Sequence, residues 1–247
     1  MEFNLPTETI ELPSKGLLYP SDNPLSSGEL EMKYMTAKEE DILTNQSYIQ
    51  NGTVFDKLFK SLIISDINYD DLLVGDKNAI LVAARILGYG KNYKFTFNGE
   101  EQTVDLSTLE SKKVDESQFT KGSNRFTYTL PTSGIVLEFK ILTHKDEMGI
   151  KQELKGLQKI NKDSNSEVTT RLKYSILSVN GDEDKKTIRE FVDKAFLARD
   201  ARAFRSHVRK IQPDVDLTFF PSTSDTRIDI PIGLDFFWPN DRDDSSL

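Results

Sequence analysis

The spacing of apolar residues changes period several times along the chain. Leu30, Met32 and Tyr34 alternate with Glu29, Glu31 and Lys33, the period of two expected of a half-buried strand. Before it, Pro6, Pro13, Pro20 and Pro24 surround the short alternation of Ile10 and Leu12, which predicts an extended arm with turns. Thr36 and Glu39 have the spacing of a capping box, opening a helix whose apolar stripe begins at Ile42 and Leu43. Between Val54 and Ile64 the residues Val54, Phe55, Leu58, Phe59 and Leu62 recur every three or four positions, predicting an amphipathic helix. Asn78 to Leu87 is apolar almost all round. It predicts a buried helix that stops at Gly88.

From Tyr93 the period returns to two. Tyr93, Phe95 and Phe97, then Asn98-Gly99, then Val104 and Leu106 predict a hairpin. A second hairpin is expected from Phe126, Tyr128 and Leu130, the turn Pro131 to Gly134, and Ile135, Leu137, Phe139 and Ile141. Helices then resume, one capped by Thr143 and one opened by Ser164 with Glu167 ahead of Leu172, Ile176 and Leu177. Asp184 to Gln212 is helical by period and stops at Pro213. Two strands close the pattern, one carrying Val215, Leu217 and Phe219. The other is a long alternation of Ile228, Ile230, Ile232, Leu234, Phe236 and Trp238, with Pro231 marking an edge or a bulge.

Blocks of amphipathic helices between antiparallel β-hairpins, with a C-terminal strand pair, give an α+β class and argue against a doubly wound parallel sheet. The expected organisation is an arm, helical core and first hairpin over 1–111 and a polar candidate linker over 112–124. A hairpin, helices and the strand pair follow over 125–247. Elements on both sides of the linker are able to share one core.

Composition narrows the chemistry. The 247 residues carry a net charge of −8 and no cysteine, which excludes disulfides, thiolate nucleophiles and Cys-based metal sites. The longest apolar run, Ala79 to Ala84, ends at Arg85, far short of the ~20 residues of a membrane-spanning helix. Glu2, Glu8 and Glu11 stand where a secretory signal needs a basic and then an apolar region, so a cytoplasmic globular protein with no membrane partner is expected. Asp66, Asn68 and Asp70 match the first ligand positions of a calcium loop, but Asp71 replaces its glycine and Lys77 its final glutamate. Ser14-Lys15-Gly16 has the residues of a phosphate loop in the wrong order and reads as a turn. His144 reads as an exposed first-turn residue and His207 as a packed or boundary imidazole. No residue is singled out as catalytic, cofactor-binding or metal-ligating. The expectation is a protein that is not an enzyme and needs no cofactor or metal.

Two features point to partners. Arg199, Arg202, Arg205, Arg209 and Lys210 lie within twelve residues that hold a single acid, Asp200, and on a helix the four arginines cover one side while Ala201, Phe204, Val208 and Ile211 cover the opposite one. Such a face is a solvated surface, a contact for an acidic protein, or a seat for a nucleic-acid backbone, since guanidinium pairs with carboxylate and phosphate alike. Phe237, between the inward Phe236 and Trp238 of the long alternation, is expected to point outward as an aromatic partner contact.

The opening Ile10-Glu11-Leu12-Pro13-Ser14-Lys15-Gly16-Leu17-Leu18-Tyr19-Pro20 resembles that of the baseplate hub assembly proteins of T-even-type bacteriophages. So do the Arg-rich helix leading to Pro213 and Val215-Asp216-Leu217, and the closing Phe236-Phe237-Trp238-Pro239. The resemblance spans nearly the whole chain and is strongest at its two ends. Some members of that family carry paired cysteines near hairpin tips, whereas Asn98 to Glu101 and Pro221 to Thr226 have none. The resemblance implies a viral protein made in the host bacterial cytoplasm. It would be a component or chaperone of the central hub of a contractile tail's baseplate, with other tail and hub proteins as partners and no nucleic acid. Whether it stays in the virion tail, and its oligomeric state, are left open. The alternative is a nucleic-acid-binding viral factor using the helix from Arg199 to Lys210.

Overall fold

In the computed structural model, which describes residues 5–160, 166–221 and 226–237, the Pro-rich arm is half of a strand pair. β1 (Thr7–Glu11) runs antiparallel to β2 (Glu29–Lys33) with Ile10 opposite Leu30, and Leu30 and Met32 are buried as their alternation predicts. The chain between them folds back on itself. Leu12 N–H donates to the Gly28 carbonyl at 2.8 Å. Gly16, at φ +72°, sits so near Ser26 that a Cβ would lie 2.4 Å from that residue's carbonyl oxygen, so only glycine fits the turn.

Four helices follow: α1 (Ala37–Thr44), α2 (Gln46–Asn51), α3 (Val54–Leu62) and α4 (Val74–Tyr89). The Thr36/Glu39 capping box is present at the start of α1. α3 buries Val54, Leu58, Phe59 and Leu62 on one side, as its spacing requires. α4 begins four residues before the expected Asn78 and runs through Gly88 to Tyr89. Gly88 does not end it. A Cβ there would meet the Met35 sulfur at 2.9 Å, so this glycine admits a packed neighbour inside the helix. Gly75 does the same at the other end, where a Cβ would fall 1.8 Å from the Pro213 carbonyl oxygen.

The hairpin β3 (Asn92–Phe97) and β4 (Glu100–Asp105) turns at Asn98 and Gly99, both at positive φ as a two-residue turn requires. β5 (Phe126–Thr129), β6 (Val136–Phe139) and β7 (Ile176–Val179) form a three-stranded antiparallel sheet. β7 is a correction to the helical reading of Ile176 and Leu177. α5 (His144–Ile160) is followed by α6 (Glu167–Ser175), which stops at Ser175, and Ile176 then joins the edge of β6 with Val179 opposite Leu137. The expected cap at Ser164 lies outside the described residues.

The single helix predicted from Asp184 to Gln212 is broken. It becomes α7 (Lys185–Glu190), a π turn over Phe191–Ala195, and α8 (Ala198–Ile211), with Phe196 and Leu197 extended between them. The break brings the Phe191 and Phe196 rings to 4.9 Å, whereas an unbroken helix would set those positions about 140° apart. β8 (Thr218–Phe219) and β9 (Ile228–Asp229) form the C-terminal pair. The long alternation expected after Ile228 is not one strand. Pro231 supplies no ladder donor, and a 3₁₀ turn over Leu234–Phe236 replaces period two, so adjacent Phe236 and Phe237 both turn inward. Trp238 lies outside the described residues.

The fold is α+β, with eight α-helices and nine short antiparallel strands among the described residues. One apolar cluster joins Leu12 and Leu25 of the arm, Leu58 and Ile80 of the helices, Phe139 and Phe204, and Phe237. The polar stretch 112–124 is strapped across it. Lys112 N–H donates to Asp214 O, Gly122 N–H to Leu17 O, and Asn124 exchanges hydrogen bonds with the backbone of Ile141.

Candidate functional site

Helix α8 presents the basic face. Phe204 and Ile211 are buried, Phe204 packing edge-on against Phe139 at 5.0 Å, while His207 stacks on Tyr128 at 4.4 Å. These contacts fix the rotation of the helix. Arg199, Arg202, Arg205, Arg209 and Lys210 are consequently all exposed, over an arc of about 140°. None of the five makes an ion pair with another described residue, although fifteen other Lys or Arg pairs with carboxylates occur among the described residues. The Arg205 guanidinium donates only to its own helix, at Ala201 O, 3.3 Å. Arg209 and Lys210 in the last turn are favourably placed against the helix dipole.

Asp200 is the one acid within this basic stretch, and it does not neutralise it. Its side chain is fully buried and accepts the backbone N–H groups of Thr132 at 2.8 Å and Ser133 at 3.0 Å, clamping the β5–β6 turn to the first turn of α8. Burial works to raise its pKa, but the hydrogen bonds from Ser133 and Thr132 outweigh it and hold the carboxyl below the ordinary value. Sequence spacing gave no sign of this clamp, because its partners lie more than sixty residues away.

Phe237, expected as an exposed partner contact, is fully buried, with its ring 5.5 Å from Phe55 and 5.6 Å from Phe236. It belongs to the core, and the structure does not bring it to the arginine face. The opening motif is likewise structural. Ser14 donates to Asp76 through its N–H (2.9 Å) and hydroxyl (2.7 Å), and Tyr19 OH donates to the same carboxylate at 2.6 Å. Asp76 is fully buried in the first turn of α4, so the arm is tied to the start of that helix.

His144 is buried, not exposed as expected. Its Nδ1 lies 2.9 Å from Lys77 Nζ, and Lys77 pairs with Asp56 at 2.8 Å, which also accepts from Tyr69 OH at 2.9 Å. Burial, aided by Lys77, lowers the imidazole's pKa against the opposing pull of Asp56 and Asp70, which favours the neutral ring. Asp56, Lys77 and His144 line a cavity of about 490 Å3. Asn68, from the calcium-like triplet, instead accepts the Asp70 N–H and caps a short 3₁₀ turn. Among the described residues no three His, Asp or Glu side chains converge so as to hold a metal ion, and no helix is long and apolar enough to cross a membrane.

No protein-family model, curated protein or solved structure matches the chain. The candidate site therefore stands on its own geometry: an ordered row of cations whose counter-charges are not supplied by the described residues.

Proposed function

We propose that this chain is a non-enzymatic assembly protein of a contractile bacteriophage tail. It is a component or chaperone of the baseplate central hub, working in the host bacterial cytoplasm and acting through the arginine face of α8. The observation that carries the reading is the set of five exposed cations without ionic partners among the described residues, in a chain of net charge −8. Guanidinium groups in such a row match the carboxylates of an acidic protein bidentately. The resemblance of residues at both ends of the chain to the hub assembly family supports other tail and hub proteins as the class of partner. Titratable groups elsewhere support the same reading, since Asp76, Asp200 and the Lys77–Asp56–His144 cluster are each engaged in holding the fold.

The test is co-expression of the tagged chain with the other tail genes of its phage, followed by pull-down. A hub protein should be retained by the parent and lost when Arg199, Arg202, Arg205 and Arg209 all become Glu, with the melting temperature unchanged. Recovery of no tail protein, or equal recovery by the variant, overturns the proposal.

A further inference from the structure

The face of α8 is not uniform. Arg205, Val208 and Arg209 form one wall of a groove of about 790 Å3, and α6 contributes Val168 and Leu172 to the lining. Phe204 and Leu172 in the lining are buried, whereas Val168 is 47% exposed. Three other cations line the groove, and each already has a carboxylate. Lys112 pairs with Asp214 at 3.1 Å, Lys140 with Asp146 at 2.7 Å and Arg171 with Glu147 at 2.6 Å. That leaves Arg205 and Arg209 as the lining cations without an ionic partner among the described residues. Arg199 and Arg202 lie outside the groove.

We infer that this groove docks an acidic segment of a protein partner, an apolar side chain of that segment settling against Val168 and Val208 while its carboxylates meet Arg205 and Arg209. The inference rests on the protein-contact reading of α8 and names the chemistry of the partner. Charge complementarity carries it: the groove offers two guanidinium groups without ionic partners among the described residues beside the exposed Val168 and the half-buried Val208, and its volume falls in the range of roughly 300 to 1,000 Å3 found for ligand clefts. A nucleic-acid strand fits less well. Sequence-tolerant strand binding uses open aromatic faces, while the one aromatic in this lining, Phe204, is 1% exposed.

The probe is a fluorescein-labelled 14-residue peptide of Glu, Asp and Leu, with the leucines at alternating three- and four-residue spacing, titrated with the full chain by fluorescence anisotropy. Saturable binding is expected, weakened at least tenfold by Val168→Glu and, separately, by Arg205→Glu with Arg209→Glu. The pair Lys38→Glu and Lys121→Glu, exposed positions away from α8 with the same change of charge, should leave affinity within twofold. All substituted side chains are exposed, and Val168→Ala, which adds no charge, repeats the test of the apolar contact. Absence of binding by the parent, or equal weakening by the Lys38 and Lys121 pair, overturns the inference. So does a single-stranded 12-nucleotide DNA that binds more tightly than the peptide. The hub reading fails separately. If pull-down of the hub protein is lost with Arg199→Glu and Arg202→Glu but kept with Arg205→Glu and Arg209→Glu, the α8 contact stands and the groove is wrong. If the peptide binds as described but no tail protein is captured, the groove stands without the hub.

Discussion

The Arg85 guanidinium donates through Nε to the backbone carbonyl of Phe236 at 2.8 Å, joining helix α4 to a turn 151 residues later. Its other nitrogens reach Gly90 O at 2.7 Å and Asn92 O at 3.2 Å, and the Tyr89 and Tyr93 rings flank its plane. One buried side chain thus closes the end of α4, the start of β3 and the C-terminal turn together. Arg85→Met should leave three carbonyl oxygens without this donor and cost on the order of 3 kcal/mol in urea unfolding. Arg85→Lys should recover less than half, because an ammonium cannot present a planar fork to three acceptors. A loss below about 1 kcal/mol for the methionine variant would show that the carbonyls find other partners.

The burial of Phe237 reverses what its place in an alternating strand predicts. Phe237→Ala should now lower stability by about 3 to 5 kcal/mol, the range for a large aromatic removed from a core. Phe220, 60% exposed, is the control, and Phe220→Ala should stay within about 0.5 kcal/mol of the parent. Thermal and urea melts of the two variants check the contrast. Equal melting temperatures for Phe237→Ala and the parent would contradict the packing against Phe55.

What the sequence made legible, and what it hid, divides by the range of the interaction. The Asn98-Gly99 turn, the Thr36/Glu39 capping box and the outward side of α8 were readable, because each depends on residues within one or two turns of chain. β7 was not, since Ile176 keeps the four-residue helical spacing from Leu172 and only the edge of β6 draws Ile176 into a sheet. The inward turn of Phe237 escaped because its partner Phe55 is remote and a 3₁₀ turn changes the period locally. At the site, the arginine row was visible. The diversion of Asp200 to the Thr132 and Ser133 amides was not, and that diversion keeps the row unneutralised.

Glu39 gives the protein a sensitivity to acid. Its buried carboxylate accepts from Lys33 at 2.8 Å, Thr36 Oγ at 2.6 Å, Thr36 N–H at 2.9 Å and Ser61 Oγ at 2.7 Å. Burial alone would raise its pKa, but the Lys33 ammonium and the Thr36 and Ser61 hydroxyls outweigh that and bring it from 4.5 to about 2. A carboxyl depressed in the folded state contributes stability that is complete above its unfolded pKa and is lost as pH falls through the folded value. Glu39→Gln should therefore be less stable than the parent at pH 7, by on the order of 2 kcal/mol. The gap should narrow as pH drops from 4.5 towards about 2. Urea melts of both proteins across that range check it, and a gap independent of pH would mean that packing, not charge, holds Glu39.

The nucleic-acid alternative makes an opposite prediction about salt. A protein that neutralises phosphates releases condensed counterions, so its log affinity falls linearly with log salt, with a slope set by the number of contacts. Five cations in one row are enough to give such a slope, but they sit on a chain of net charge −8, whose overall field opposes the approach of a polyanion. The ion pairs that occupy the neighbouring Lys112, Lys140 and Arg171 also keep those groups from extending the basic track. The expected outcome is no measurable binding of single- or double-stranded DNA or of RNA at about 150 mM salt, near physiological ionic strength, by anisotropy with the full chain. Micromolar binding that weakens along a linear log-log salt plot, and disappears when Arg202, Arg205 and Arg209 become Glu, would instead assign the α8 face to a phosphate backbone and displace the protein partner.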